Sequence, residues 1–221
     1  MSARRRRTSR DERRRSHSQN LLVDERVVDR LLARAELTRD EHVVEIGPGR
    51  GALTLPLAGA GARVLAVERD PGLADELRAS VRRARLESRV RVLTLDARRL
   101  RWPGEPYRVI ANLSFGATTA LLAHMLDDPA QGPRRADVLV QRVVAIKRSS
   151  QPPTSLRSAA WAPWWEMTLG DPVPRSAFRP VPGIDAAWLH ITRRDSPVLP
   201  EWLAPSLRGL LRPGWDPPTD G

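Results

Sequence analysis

Asn112, Leu113, Ser114 and Phe115 are the residues of this 221-residue chain whose types and spacing speak most directly of chemistry. They follow an apolar run, Tyr107-Arg108-Val109-Ile110-Ala111, of the kind that makes a buried parallel strand, so they fall where such a strand ends. An amide followed three residues on by an aromatic ring can hold a flat base that bears an amino group. The exocyclic amine of adenine is a poor nucleophile because its lone pair is delocalised into the ring, and a catalyst must draw that pair out and aim it. The side-chain carbonyl of Asn112 and the main-chain carbonyl of Leu113 would accept the two amine protons and favour a pyramidal nitrogen, while Phe115 stacks on the base. Positive charge developing on the nitrogen beside an aromatic face is favoured by about 0.5 to 2 kcal/mol. Alignment of nitrogen, methyl carbon and sulfur supplies much of the remainder. These residues therefore read as a site for methyl transfer to an adenine, with Asn112 and Phe115 as the catalytic pair and no metal.

Such a site needs a frame, and the sequence around it predicts an α/β one. Asp24 is placed to cap a helix whose apolar positions Val27, Val28, Leu31, Leu32 and Ala35 recur at helical spacing. His42 to Ile46 reads as a short buried strand, with a helix near Ala52 to Ala60. Arg63 to Glu68 is the next strand, and a long charged helix runs from Pro71 to about Arg85. Val90 to Leu95 makes a third strand ending at Asp96, and Tyr107 to Ala111 a fourth. A helix over Ala117 to Leu126, a fifth strand over Ala136 to Gln141 and a helix over Arg142 to Arg148 complete the alternation. Regular alternation of this kind predicts a parallel, doubly wound sheet. Trp164 to Leu169 and Ala187 to Thr192 then read as two strands of an antiparallel hairpin at the sheet edge, giving seven strands in all. After Arg194 only 27 residues remain, six of them proline, enough for a helical turn or two around Trp202 to Leu211 and otherwise a tail.

The glycines of Gly47-Pro48-Gly49-Arg50-Gly51-Ala52, with acidic Glu68 about twenty residues on, fit the loose pattern of nicotinamide dinucleotide folds as well. Three features favour S-adenosylmethionine. Glu45 stands just before the glycines, Asp96 ends the third strand, and Asn112 to Phe115 ends the fourth, so four strand ends present polar groups at the carboxyl edge of one sheet. On this reading Glu68 takes the ribose hydroxyls, Asp96 the adenine amine of the cofactor, and Gly47 and Gly49 allow close backbone approach.

Bulk properties agree. The length suits one domain with a full core. There is no cysteine, which excludes disulfides, thiolate zinc sites and a cysteine nucleophile. His17, His42, His124 and His190 show no metal-ligand spacing. No apolar stretch approaches the roughly 20 residues of a membrane span, and the basic start has no apolar signal region behind it, so a cytoplasmic protein is expected. The net charge is +11 and the pI near 11.5, which calls for a polyanionic partner bound in a salt-dependent way. Residues 1–15 hold eight arginines against Asp11 and Glu12, or +6 of that charge, and read as a disordered arm suited to nucleic acid. Arg142, Lys147 and Arg148 fit either a basic helix face toward RNA or a merely solvated one. Trp161, Trp164 and Trp165 read as packing around the hairpin.

Several of these segments together carry a more specific resemblance. Ser18-Gln19-Asn20-Leu21-Leu22, the Val44 to Gly51 loop, Asn112 to Phe115, Val140-Gln141-Arg142, Ala162-Pro163-Trp164 and Phe178-Arg179-Pro180-Val181-Pro182 resemble the rRNA adenine N6-methyltransferase family. Within it the chain is most similar to the Erm enzymes of actinomycetes, over roughly residues 10–195. The resemblance implies a Rossmann-like class I methyltransferase fold, S-adenosylmethionine as cofactor and methylation of one adenine of 23S rRNA, which confers resistance to macrolide, lincosamide and streptogramin B antibiotics. It implies cofactor contacts at Asn20, Leu22, Gly47, Glu68, Asp96 and Asn112, with Phe115 as the base-stacking aromatic. The domain plan that follows is an arm over 1–17, a catalytic domain over 18–195, and a proline-rich remnant over 196–221 of a helical RNA-binding domain. A monomer is expected. Two departures from the family stand out: Ser114 and Gly116 occupy positions where proline and asparagine are usual, and the C-terminal domain is short. The nearest alternative is the small-subunit rRNA dimethyladenosine transferase; another is a degenerate member that holds RNA or cofactor without turnover.

Overall fold

The structure, a computed structural model, describes residues 20–214; the arginine arm, Ser18, Gln19 and the last seven residues lie outside it. Five strands, β2 (His42–Ile46), β3 (Arg63–Glu68), β4 (Val90–Thr94), β5 (Arg108–Asn112) and β6 (Arg135–Gln141), pair in parallel, while β7 (Trp165–Val173) and β9 (Ala186–Arg193) form the antiparallel hairpin. The seven lie in the order β4-β3-β2-β5-β6-β9-β7, with β9 inserted antiparallel against β6. The mostly parallel seven-stranded sheet with its hairpin is the architecture the alternation pattern predicts.

Helices cover both faces because the strands are apolar on both. Val43, Ile110 and Leu139 pack into one core with α1 (Glu25–Ala35), α2 (Thr54–Gly59) and α3 (Pro71–Arg83). Their strand neighbours Val44, Val109 and Val138 pack into the other, with α4 (Thr118–Leu126), Trp161, Trp164 and Trp165. Successive side chains of a strand point to opposite faces, so near-continuous apolar runs specify a sheet buried on both sides. The caps follow the sequence. Asp24 accepts from the Arg26 amide at 2.9 Å, and Asp70 accepts from Gly72 and Leu73, with Pro71 fixing the first turn of α3.

Three features depart from expectation. A two-stranded ribbon, β1 (Leu21–Leu22) against β8 (Phe178–Arg179), ties the start of the described chain to its final third. Residues after α5 (Arg142–Ser149) form a further helix, α6 (Leu156–Trp161), capped by Ser155, whose hydroxyl accepts from the Ser158 amide at 3.2 Å. β7 also runs four residues beyond Leu169, past an irregularity between Leu169 and Pro172. The C-terminal segment is more than a tail. Leu199, Leu203, Ala204 and Leu207 pack on the main core, α7 (Ala204–Leu211) lies against α6, and the Trp164 indole donates to the Leu199 carbonyl at 2.9 Å. Trp161, Trp164 and Trp165 are buried, and the other two indoles donate to Asp127 and to the Leu126 carbonyl, so all three are packing residues. No helix among the described residues is long and apolar enough to cross a membrane.

Candidate active site

β2 has β3 on one side and β5 on the other, so the direction of chain progression reverses between β2 and β5. A crevice opens outside the carboxyl ends of strands at such a point. Here the crevice is a cavity of about 320 Å³ lined by Asn20, Gly47, Glu68, Asp96, Asn112 and Phe115, among others, a size that holds a small organic ligand. Each of these six residues was singled out in the sequence.

The glycine loop supplies the floor. Gly47, Gly49 and Gly51 follow β2 with φ of +68°, +55° and +93°, a region that residues with a Cβ enter only at a cost. A Cβ on Gly49 would lie 2.7 Å from Leu21 Cδ2, so glycine there lets the first ribbon strand close over the loop. Glu68, buried at the end of β3, accepts from the Gly49 amide at 3.2 Å through Oε2 and from the Asp70 amide at 2.9 Å through Oε1. These two main-chain donors fix the carboxylate at the cavity wall and leave it lone pairs for a ligand's hydroxyls.

Asp96 closes the far side. Its carboxylate caps the turn after β4 by accepting from the Arg98 amide at 3.0 Å, and the Arg98 Nε approaches both of its oxygens, at 3.0 and 3.2 Å. The hydrogen bonds from Arg98 hold the carboxyl well below the usual range, at about 2. Asp96 is therefore an anion across the working pH range. Arg98 lines the cavity beside it; it is not among the residues the motifs point to, although an arginine two residues after a capping aspartate is a visible signal.

Asn112, the last residue of β5, has its orientation fixed by chemistry. Its Nδ2 donates to the Asn20 carbonyl at 2.8 Å. A carbonyl only accepts, so the amide group must face it nitrogen first. Oδ1 is thereby left as the free end, and no donor among the described residues reaches it. None reaches the Leu113 carbonyl either, while the Leu113 amide is anchored to the Leu139 carbonyl on β6 at 3.0 Å. Two carbonyl acceptors in consecutive residues are thus free of donors among the described residues, and Asn112, Leu113 and Phe115 all line the cavity.

Two sequence assignments are placed differently. The Leu22 side chain is buried in the core against α1, and it is Leu21 that lines the cavity. Glu45 does not reach the cavity; its buried carboxyl accepts from the Thr54 hydroxyl on α2 at 2.5 Å. Burial raises that carboxyl, the Thr54 hydrogen bond partly offsets the rise, and the charge of Glu68 adds to it, leaving it at about 8. On α5, Arg148 turns inward to Ser155 and Ser158 and stacks over Trp161, so only Arg142 and Lys147 of the three basic residues remain outward.

The fold and this crevice define a methyltransferase of the Rossmann-like class. Within that class the chain belongs to the family described as ribosomal RNA adenine dimethylase, whose model matches residues 10–212. It is 36% identical over 187 residues to an rRNA adenine N-6-methyltransferase of Corynebacterium diphtheriae, covering 85% of this chain and 71% of that one. It is also 36% identical over 195 residues to a ribosomal RNA small subunit methyltransferase A of Streptococcus equi subsp. zooepidemicus, covering 83% of this chain and 66% of the relative. The crystal structure of the 23S rRNA methyltransferase ErmE superposes with a TM-score of 0.77 at 30% identity, over 88% of this chain and 80% of that one.

Proposed function

We propose that this protein transfers a methyl group from S-adenosylmethionine to N6 of one adenine in 23S rRNA and thereby confers resistance to macrolide-type antibiotics. The observation that carries the chemistry is Asn112, held by the Asn20 carbonyl so that its own carbonyl is the free end. Bound in the crevice, S-adenosylmethionine supplies an electrophilic methyl group on a positively charged sulfur. The cavity suits it: Gly47 has no Cβ where the backbone must be approached, Glu68 offers a fixed buried carboxylate, and Asp96 offers an anion for an amine.

The chain's own residues do the rest. Asn112 Oδ1 and the Leu113 carbonyl accept the two amine protons, so the nitrogen lone pair turns out of the ring plane. Phe115 holds the base by its face and favours the positive charge that forms on the nitrogen. A paired adenine cannot present its amine in this way, so the target lies in an unpaired loop or is flipped from its stack. The net charge of +11 favours the phosphate backbone around it. Methylation removes hydrogen-bonding capacity and adds bulk where the antibiotic docks.

The 23S target is favoured by the extent of the likeness to ErmE, which spans most of both chains. The 36% identity to a small-subunit enzyme supplies the competing reading. One experiment separates them. Ribosomal RNA from a macrolide-sensitive bacterium, with and without this gene, is digested and read by mass spectrometry for methylated adenine. A new N6-methyl mark at the macrolide-site adenine of 23S rRNA supports the proposal. A mark confined to small-subunit rRNA, or none with soluble cofactor-binding protein, overturns it.

A further inference from the structure

The loop that carries the two acceptors needs to be stiff, and the covalent sequence does not make it so. Ser114 and Gly116 both have free φ angles, and the Ser114 amide has no hydrogen-bond partner among the described residues. The stiffness comes from elsewhere. On the upstream side the Leu113 amide is tied to the Leu139 carbonyl at 3.0 Å. On the downstream side the Ser114 carbonyl accepts twice, from the Ala117 amide at 3.0 Å and from the Thr118 hydroxyl at 3.1 Å. Thr118 is the first residue of α4 and is 2% exposed. Ser114 is the sole partner of its hydroxyl among the described residues, and a buried hydroxyl without a partner is costly.

The peptide group between Leu113 and Ser114, whose oxygen is the second acceptor, is therefore clamped from both sides. Its neighbours in the chain are each fixed, one to β6 and one to α4, so its own orientation has little freedom. We propose that Thr118 is a positioning residue for the reaction: its hydroxyl, through the Ser114 carbonyl, holds the Leu113 carbonyl where the target amine proton must meet it. The inference rests on the proposed adenine chemistry, since it assigns the Leu113 carbonyl a proton to accept. Thr118 itself touches neither substrate nor cofactor. A misplacement of a reacting group by about 1 Å costs roughly a hundredfold in rate, so the staple acts on turnover rather than on affinity.

The test uses four proteins: wild type, Thr118→Val, Thr118→Ser, and Thr118→Val combined with Ser114→Pro. Valine keeps the shape and removes the donor, and the Ser114 carbonyl still has the Ala117 amide. Serine keeps the hydroxyl. Proline at 114 locks φ covalently, replacing the lost hydrogen bond by a ring and sacrificing no donated one. The expected result is a kcat for rRNA methylation lowered by about ten- to a hundredfold in Thr118→Val, with KM for cofactor and RNA unchanged. Thr118→Ser recovers most of the rate, and so does the double variant. Independently of activity, amide hydrogen exchange in the peptide spanning 112–117 should be about fivefold faster in Thr118→Val than in wild type, and slowed again in the double variant. Unchanged exchange and kcat in Thr118→Val, or a loss shared equally by Thr118→Ser and not relieved by Ser114→Pro, overturns the assignment. Absence of turnover in the wild type counts against the proposed function instead, and the exchange rates still judge the staple.

Discussion

Glu45 should make the stability of this protein fall with rising pH in a range where most carboxylates are silent. The carboxyl is 1% exposed and sits at about 8, against an ordinary value of 4.5. Between those two values the folded chain holds one proton more at this residue than the unfolded chain, so unfolding releases a proton and is favoured as pH rises. Each pH unit inside the window is worth about 1.4 kcal/mol. The slope flattens near both ends, and from pH 5 to pH 8 the loss comes to about 3 to 4 kcal/mol. For a domain of this size that is about 6 to 16 °C in melting temperature. Glu45→Gln is the perturbation. Glutamine cannot titrate, and its carbonyl can still accept from the Thr54 hydroxyl. Urea unfolding of both proteins at half-unit steps from pH 5 to 8 gives the difference directly, free of the four histidines that both share. The two should be similar at pH 5, with the glutamine variant gaining steadily above it. Parallel curves, or a wild type that gains on the variant as pH rises, would refute the buried, neutral carboxyl.

Other perturbations test the site and its frame. Asn112→Ala should lower single-turnover methylation by more than about a hundredfold while calorimetry shows cofactor affinity weakened by less than about tenfold, the residue's other duty being to hold the Asn20 segment. Gly49→Ala forces a left-handed residue with a Cβ, costing about 1 to 2 kcal/mol, and pushes Leu21 from the cavity wall; both melting temperature and cofactor affinity should drop, and an unchanged affinity would detach Leu21 from the site. Burial would raise Asp137, but the His190 hydrogen bond and the Arg108 and Arg135 guanidinium groups outweigh it and hold it at about 2. Its stabilising effect is therefore full above about pH 4 and lost as pH falls toward 2, and Asp137→Asn, which leaves the buried Arg108 only the Ala35 carbonyl and Glu41 at 3.7 Å, should cost about 3 kcal/mol at neutral pH in a denaturant titration. Deleting residues 2–15 removes a charge of +6 and should weaken RNA binding and flatten its dependence on salt; an identical salt slope would mean the arm contacts no phosphate.

Much of the site was legible because it is made of strand ends. Gly47, Glu68, Asp96 and Asn112 each terminate a run of apolar residues, and parallel strands bring their carboxyl ends to one edge. The inward turn of Glu45 follows from the same physics. In β2 it alternates with Val44 and Ile46 and shares a face with Val43, so it points at the layer of α1, α2 and α3, where Thr54 meets it. Other features left no local trace. The β1–β8 ribbon pairs two residues with two from the far end of the chain, too short for any period to reveal. Helix α6 hides behind Gln151-Pro152-Pro153, which reads as a break, and its Ser155 cap is one serine among several. The inward turn of Arg148 depends on that unseen helix.

The ribbon also sets an order of events in the life of the chain. Leu21, which walls the crevice beside Asn20, pairs with Arg179, its neighbour Leu22 pairs with Phe178, and the Val23 amide donates to the Ala177 carbonyl. A nascent chain that has just completed β6 already owns Gly47, Glu68, Asp96 and Asn112, yet its first strand has no partner. That partner comes from the stretch between β7 and β9, so the crevice wall and the antiparallel edge of the sheet depend on the same late part of the chain.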